Sequence, residues 1–478
     1  EIVKLPMCPF AMGFRILIVT LVSTLSSLGP LSGPQFIWRP FGGPGQRWYH
    51  RDMVAFYLSA LGCKLNQAEV ESLARRIVAR GHAVVQDPRQ ATWAIVNTCT
   101  VTHVAARKSR QLLRQLRQAN PGLRLAVIGC YGTMASEEAR AIAGVELVVP
   151  NAEKDQVLER ILALTPEPPA PDAGALPSLS LGHTRALVKI QDGCENRCAY
   201  CIVTLARGPL RSRPMEDVLE EIGQRLAEGY QEVVLTGVNI GAYGRDGGTT
   251  SLAGLVQAIL QRQAPRRLRL SSIEPWDLTE ELLALWPHPC LCRHLHLPLQ
   301  SGCDATLRRM GRKYTCAEFA ELVARARERI PELALTTDVI VGFPGETEPE
   351  FRQTLAFIAQ QRFSRLHVFK YSRRPGTPAA EMPHQVPPQV AEERSNRLLA
   401  LGRELAAAFH AQFIGREVEA LLETAQRRGE GLVWSGLTDT YLRVTVRSEG
   451  HWANTLVRVH CLRADETGVE GVLLPRES

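Results

Sequence analysis

From Met53 onward the chain alternates short apolar runs with stretches whose apolar residues recur at helical spacing. That alternation restricts the fold more than any other feature of the 478 residues. "MVAFYLSAL", "ATWAIVN", "LRLAVIG" and "VELVV" read as strands, and "QAEVESLARRIVARG", "RKSRQLLRQLRQ", "SEEARAIAG" and "KDQVLERILAL" read as helices. The pattern predicts an open, parallel α/β domain over residues 53–164. A Pro/Ala/Ser-rich stretch, "TPEPPAPDAGALPSLSLG", predicts a linker over 165–182. A second series follows, with strand candidates "RALVKI", "EVVLTG", "RLRLSS", "HLHLPL", "LTTDVIVGF" and "RLHVFKY". Six β/α units are too few for a complete eight-fold barrel, so residues 183–411 are expected to form a partial (β/α)6 barrel. Beyond the long helix candidate ending at Gly415 the helical signal stops. "EVEALLET", "GEGLVWSGL", "TYLRVTVR", "NTLVRVHCLRA" and "GVEGVLL" predict a small all-β C-terminal domain over 412–478.

With 45% hydrophobic and 22% charged residues, the composition is that of a globular protein, and the net charge of +7 is compatible with a polyanionic partner. Residues 1–52 read differently. Ile16 to Leu28 form an uncharged, mostly apolar run that is too short for a membrane span and lacks a small-residue cleavage site after it. The expectation is a non-native or disordered extension, with Met53 as the natural start, and a cytoplasmic protein with no membrane partner.

Twelve cysteines are many for such a chain, and their spacings are not those of a small disulfide scaffold. "DGCENRCAYC" places Cys194, Cys198 and Cys201 in a Cys-x3-Cys-x2-Cys pattern. Thiolates suit zinc or iron–sulfur clusters. A structural zinc site is closed by four ligands, whereas three cysteines leave one iron of a [4Fe–4S] cluster open to a small molecule. Zinc completed by a distant ligand, or three free thiols, are the alternatives. Cys63, Cys99 and Cys130 each end a different predicted parallel strand, at the edge where open α/β sheets build sites. They either converge on a second cluster or are buried apolar cysteines.

The spacing in "DGCENRCAYC" resembles the signature of radical S-adenosylmethionine (SAM) enzymes. Taken with "GCKLNQAEVES", "NTCTVT", "GCY", "ARGPLRSR", "LTGVNIGAYG", "LSSIEP", "HLHLPLQSG", "MGRKYT" and "TTDVIVGFPGET", in that family's order, the chain from Met53 resembles the methylthiotransferases. Its C-terminal domain resembles their RNA-binding TRAM module. Thr204 departs from the family's usual proline, with no ligand lost. The resemblance implies two [4Fe–4S] clusters. One, at Cys194, Cys198 and Cys201, binds SAM and cleaves it to a 5′-deoxyadenosyl radical. The other, at Cys63, Cys99 and Cys130, carries the sulfur to be inserted, which a second SAM methylates. No catalytic residue beyond the cluster ligands is implied. Cys8, Cys290, Cys292, Cys303, Cys316 and Cys461 match no ligand position and read as unligated thiols.

"GCKLNQAE" and "NTCTVT" resemble the branch that acts on N6-threonylcarbamoyladenosine beside the tRNA anticodon. The isopentenyladenosine branch usually reads Gly-Cys-Gln-Met-Asn at the first cysteine. Alternative targets are isopentenyladenosine in tRNA or an aspartate of a small-subunit ribosomal protein. The alternative of another class is a non-catalytic, zinc-holding RNA-binding protein. Motif position offers Thr236, Gly237, Asn239, Ser272, Glu274, Gln300, Ser301, Asp338 and Gly342 as SAM contacts. Turn-making and rim hydrogen bonds are the plainer readings of these residues. Arg207, Arg211 and Arg213 are candidates for RNA phosphate contacts, or for one pairing with the SAM carboxylate. The basic helix around Arg107, Lys108, Arg110, Arg114 and Arg117 tracks tRNA or is a solvated face. Trp434 and Tyr441 stack on bases or fill the small barrel's core. Implied partners are tRNA, an electron donor such as flavodoxin or ferredoxin, and a sulfur source for cluster repair. A monomer is expected, since no coiled-coil heptads occur.

Overall fold

The computed structural model describes residues 53–165, 184–248, 250–429 and 431–475. The extension expected at 1–52 lies outside the described residues, as does the linker from residue 166 on. The first strands are β1 (Ala55–Ala60), β2 (Ala83–Val85), β3 (Trp93–Thr98), β4 (Arg124–Ile128) and β5 (Val145–Val148). They form one parallel sheet in the order β2-β1-β3-β4-β5. The three-residue edge strand β2 has no counterpart among the strands expected from sequence. All six residues of β3 are buried. Trp93 and Ile95 pack in the core on one face, Ala94 and Val96 in the core on the other. A sheet covered on both faces needs such an uninterrupted apolar run. The strand order reverses between β1 and β3, and a crevice at the carboxyl ends of the strands is where such sheets place ligands.

The second series gives β6 (Arg185–Lys189), a short antiparallel pair β7 (Gln191–Asp192) and β8 (Arg211–Ser212), then β9 (Glu232–Thr236), β10 (Arg267–Leu270), β11 (His294–His296), β12 (Ala334–Val341) and β13 (Arg365–Lys370). Parallel sheets β10-β9-β6 and β11-β12-β13 are joined by the bridges Leu268↔Leu291 and Ser272↔His296. The six main strands therefore run in chain order as an open half-barrel, as expected. "RRLRL" is not the ordinary alternating strand it resembles: all four residues of β10 are buried. Arg269 is saved from isolation by Glu232, whose Oε1 accepts from its Nε at 2.7 Å.

After the helix Pro388–Ala411 come β14 (Glu417–Arg428), β15 (Gly431–Thr438), β16 (Arg443–Arg447), β17 (Thr455–Asp465) and β18 (Gly468–Leu473), closed as a barrel in the order β14-β15-β16-β18-β17. β10 clasps this barrel. Arg267 donates to the carbonyls of Leu437 and Glu419, and Arg269 to those of Thr438 and Asp439. Among the described residues no helix is long and apolar enough to cross a membrane.

Candidate active site

The loop after β7 holds the first thiol triplet. Gly193 has φ +70°, and a Cβ there would lie 1.8 Å from the Pro209 carbonyl oxygen, so only glycine fits. The amide of Cys194 donates to the Gly208 carbonyl (3.1 Å) and that of Ala199 to Met310 (2.9 Å). The Cys201 amide turns back onto the Cys198 carbonyl (3.1 Å). Arg312 comes from "MGRKYT" and is buried. Its Nη1 lies 3.5 Å from Cys198 Sγ, its other side pairs with Glu274, and its guanidinium stacks 4.8 Å from the Trp276 ring. Burial pushes the Cys201 thiol up to about 12 and raises Cys194.

The second triplet is assembled from three strand ends. Cys63 caps the helix Lys64–Ala79 after β1, Cys99 follows β3, and Cys130 opens the short helix Gly129–Met134 after β4. The three thiols feel one another's charge. Gly62, at φ +99°, lets Cys99 approach: a Cβ there would meet Cys99 Sγ at 2.7 Å. Cys63 is exposed, whereas Cys99 and Cys130 are buried. Burial pushes Cys99 up to about 12. Burial also raises Cys130, against the opposing pull of Arg207 and a 3.7 Å contact from Asn151 Nδ2.

A buried charge network links the two triplets. Arg207 is 4% exposed. It donates to Glu69 (3.1 Å) and Asp192 (2.8 Å) through Nη1, and to the side-chain Oδ1 of Asn66 through Nη2. Lys154 and Lys189 pair with the same two carboxylates. Burial favours the neutral acid, yet Arg207, Lys154 and Lys189 together hold Glu69 at about 2. Three cations against two carboxylates leave one positive charge over, beside Cys63 and Cys130. Asp192 immediately precedes Gly193, and Glu69 and Asn66 follow Cys63 on one helix, so the network spans both sites. Nothing in the spacing pointed to Glu69, Lys154 or Asp192; for Glu69 and Asp192 their presence inside "NQAE" and "QDGC" was the one available signal, and Lys154 carried none.

Arg207 is therefore no phosphate contact: its donors are spent in the interior. Arg213 is partly withdrawn too, donating to the Lys189 carbonyl (2.7 Å) and pairing with Glu221, while Arg211 is exposed on β8. Trp434 packs in the small barrel's core with its Nε1 donating to the Gly450 carbonyl (3.0 Å). Tyr441 is sandwiched by Arg269 (3.8 Å) and His294 (4.5 Å), so neither ring offers a free face to a base. On the basic helix, Arg107, Lys108 and Arg114 are exposed, and Arg110 pairs with Glu138.

The expected SAM contacts divide. Thr236 ends β9, and Gly237 follows it. The Val238 and Asn239 amides both donate to Gln191 Oε1 (3.0 and 2.8 Å), and Asn239 Oδ1 is a buried acceptor with no hydrogen-bond partner among the described residues. That orphaned oxygen suits an ammonium group. Ser272 and Glu274 follow β10 nearby, half-buried. Gln300 sits at φ +67°, its amide on the Asp338 carbonyl (2.8 Å). Ser301, by contrast, is fully buried with its hydroxyl on Thr354 (3.2 Å), a loop brace rather than a ligand contact. Gly342 is required by packing: a Cβ would lie 2.7 Å from Ala391 Cβ. Asp338 faces His296 Nε2 at 3.4 Å.

The thiols suit clusters better than single ions. Thiolates around one tetrahedral zinc sit about 3.8 Å apart, from Zn–S bonds near 2.3 Å. Among the described residues the one group of three His, Cys, Asp or Glu ligand atoms within 4.8 Å is His296, Asp338 and His367, so neither cysteine triplet is that tight. Wider triplets backed by cations fit an anionic multi-iron centre.

A half-barrel with this loop at its first strand defines a radical-SAM enzyme, and the Radical SAM superfamily model matches residues 188–358. The N-terminal sheet matches the uncharacterized protein family UPF0004 over 55–150. The chain is 38% identical over 434 residues to the Bacillus subtilis (strain 168) threonylcarbamoyladenosine tRNA methylthiotransferase, covering 87% of this chain and 95% of that one. It is 36% identical to the Thermotoga maritima protein of the same description (88% and 96%). It is 32% identical to the tRNA-2-methylthio-N(6)-dimethylallyladenosine synthase of Acetivibrio thermocellus (88% and 91%). This chain belongs to the radical-SAM methylthiotransferase family. In fold it is similar to the radical-SAM methyltransferase TsrM of Kitasatospora setae, with a TM-score of 0.52 at 15% identity over 74% of this chain and 89% of that one.

Proposed function

We propose that this chain inserts a methylthio group at C2 of N6-threonylcarbamoyladenosine at position 37 of tRNA. The observation that carries the reading is the buried network running from Asn66 and Glu69 through Arg207 to Asp192, which fixes two separate thiol triplets relative to each other. Radical generation and sulfur delivery need two centres held about one substrate base. Bound at these triplets, [4Fe–4S] clusters and SAM supply the radical and sulfur chemistry. Cys194, Cys198 and Cys201 hold one cluster, with Arg312 beside Cys198; Cys63, Cys99 and Cys130 hold the other, against the positive charge left over around Arg207. Asn239 Oδ1 receives the SAM ammonium, and Gln191 fixes the loop that carries it.

The exposed arginines of the helix His103–Ala119 and Arg211 meet RNA phosphates, and the C-terminal barrel acts as a TRAM module. The enzyme works in the cytoplasm as a monomer, with a flavodoxin or ferredoxin as electron donor and a separate sulfur source. The test is nucleoside mass spectrometry of tRNA from a host that makes threonylcarbamoyladenosine, lacks its methylthiolase and expresses the chain from Met53. A 2-methylthio-threonylcarbamoyladenosine peak is expected. A methylthio-isopentenyladenosine peak overturns the target, and no product from iron-loaded protein overturns the reaction.

A further inference from the structure

The half-barrel interior contains a recessed cluster of polar side chains, of which only Asp338 has been offered a role above, as a SAM contact. His296 ends β11, Asp338 lies on β12, and His367 on β13 is its register partner. The ligand atoms of these three lie within 4.8 Å of one another. The recess reaches solvent, with the Asp338 side chain 29% exposed and His296 15%. His296 is held by both ring nitrogens, on Thr336 Oγ1 (2.9 Å) and Asp338 (3.4 Å). His367 makes ring contact with His296 at 5.6 Å and has no hydrogen-bond partner among the described residues.

Lys64, the first residue of the helix after β1, approaches this cluster from the N-terminal domain. Its Nζ donates to the Tyr441 hydroxyl at 3.2 Å, and its charge reaches both His294 and His367. Most cations around it are taken: Arg269 by Glu232, Arg185 by Glu423, Arg207 by Glu69 and Asp192, Arg312 by Glu274. Lys64 has no carboxylate partner among the described residues. Tyr441, at φ +58° and clamped by Arg269 and His294, sets where the ammonium sits.

Lys64 also follows Cys63 directly, next to the sulfur-delivering site. On adenine, C2 and the N6-bearing carbon flank the same ring nitrogen. A base with C2 presented to that site therefore places its N6 substituent within a few bond lengths of it. We propose that Lys64, with His367 and Asp338, forms the pocket that reads the N6 substituent: Lys64 binds the threonyl carboxylate, His367 donates to it, and Asp338 accepts from the threonyl hydroxyl. Burial pushes His367 down to about 4, so near neutral pH its ring is an uncharged donor. An all-hydrocarbon tail in the same pocket would leave His367 unpaired and cover Lys64 without a counter-charge, which is the costly direction of mismatch.

This inference rests on the threonylcarbamoyl reading of the target. Its test uses anaerobically reconstituted holoprotein and anticodon stem-loop RNAs carrying threonylcarbamoyladenosine, its methyl ester or isopentenyladenosine, with both binding and kcat/KM measured. Wild type is expected to prefer the free acid over the ester by about 10- to 100-fold, the size of one charge-assisted hydrogen bond. Lys64→Gln is expected to erase that preference with iron content unchanged, and Lys64→Arg to restore most of it. A wild type indifferent to esterification, or a Lys64→Gln variant that keeps the preference, overturns the pocket alone. A wild type that acts on the isopentenyl RNA and ignores the other two overturns the target reading and the pocket with it.

Discussion

Cys194, Cys198 and Cys201 come from one loop and are positioned by their own backbone, whereas Cys63, Cys99 and Cys130 come from three strand ends and are positioned by a whole sheet. The loop is largely self-contained: the amides of Cys194 and Cys201 find carbonyls at Gly208 and Cys198, Gly193 folds it tightly, and distant residues brace it at Ala199, through Met310 and Ala379. The strand-end site has no such local frame. It depends on strand order, on Gly62 and Gly129 at positive φ, and on Arg207, which arrives from the other domain. A local site withstands changes elsewhere in the sheet; an assembled one inherits every error in the packing of three strands.

The largest test separates the two sites chemically. Cys194/Cys198/Cys201→Ala is expected to abolish 5′-deoxyadenosine formation and methylthio product together. Cys63/Cys99/Cys130→Ala is expected to abolish the product while 5′-deoxyadenosine still forms. Each variant should lose about half of the bound iron if each triplet holds one cluster. Product from the second variant would end the assignment of sulfur delivery to the assembled site.

The same contrast explains what the sequence disclosed. The loop site was readable because its ligands are close in sequence. The assembled site was readable only as three strand-end positions, which required the parallel sheet to be inferred first. Strand order between β1 and β3 left no local mark, and the edge strand β2 is too short to show a period. Arg207 was misjudged as an RNA contact because a basic motif looks alike whether its charges face solvent or buried carboxylates. Glu69, Asp192 and Lys154 are separated by 38 to 123 positions of the chain; their meeting is a property of domain docking. Arg267 and Arg269 were hidden for the same reason, since alternation in "RRLRL" looks like an ordinary strand until a second barrel covers it.

The next effect falls on the joint between the sites. Arg207→Met removes the surplus positive charge and leaves Lys154 and Lys189 to balance Glu69 and Asp192; what is lost is the guanidinium's charge-assisted hydrogen bonds to those carboxylates and to Asn66, about 1.5–3 kcal/mol, read as a lower urea midpoint. The pH response sharpens it. Glu69 is held at about 2, below its ordinary 4.5, so its contribution is complete above 4.5 and lost as pH falls from there toward about 2. Wild type should lose stability across that window. Arg207→Met should lose less, because the guanidinium that helps to hold the carboxylate down is gone. Equal slopes for the two proteins would mean that Lys154 and Lys189 alone set Glu69.

The most selective effect, and at Gly62 the smallest, comes from two glycines. Gly193→Ala puts a Cβ 1.8 Å from the Pro209 carbonyl oxygen, a backbone atom that does not give way, so the loop itself must move. Gly62→Ala meets Cys99 Cβ and Sγ at 2.7 Å, a side chain that rotates more cheaply. Both also force alanine to positive φ, at about 1–2 kcal/mol. Gly193→Ala should therefore reduce 5′-deoxyadenosine formation strongly. Gly62→Ala should leave it close to wild type and lower only iron occupancy at the assembled site and the yield of methylthio product. The cost at Gly62 lands on a cluster ligand rather than on the fold, so the melting temperature should shift less than the product yield. If Gly62→Ala instead lowers 5′-deoxyadenosine as much as Gly193→Ala does, the two sites are not independent, and the network through Arg207 transmits distortion rather than merely holding distance.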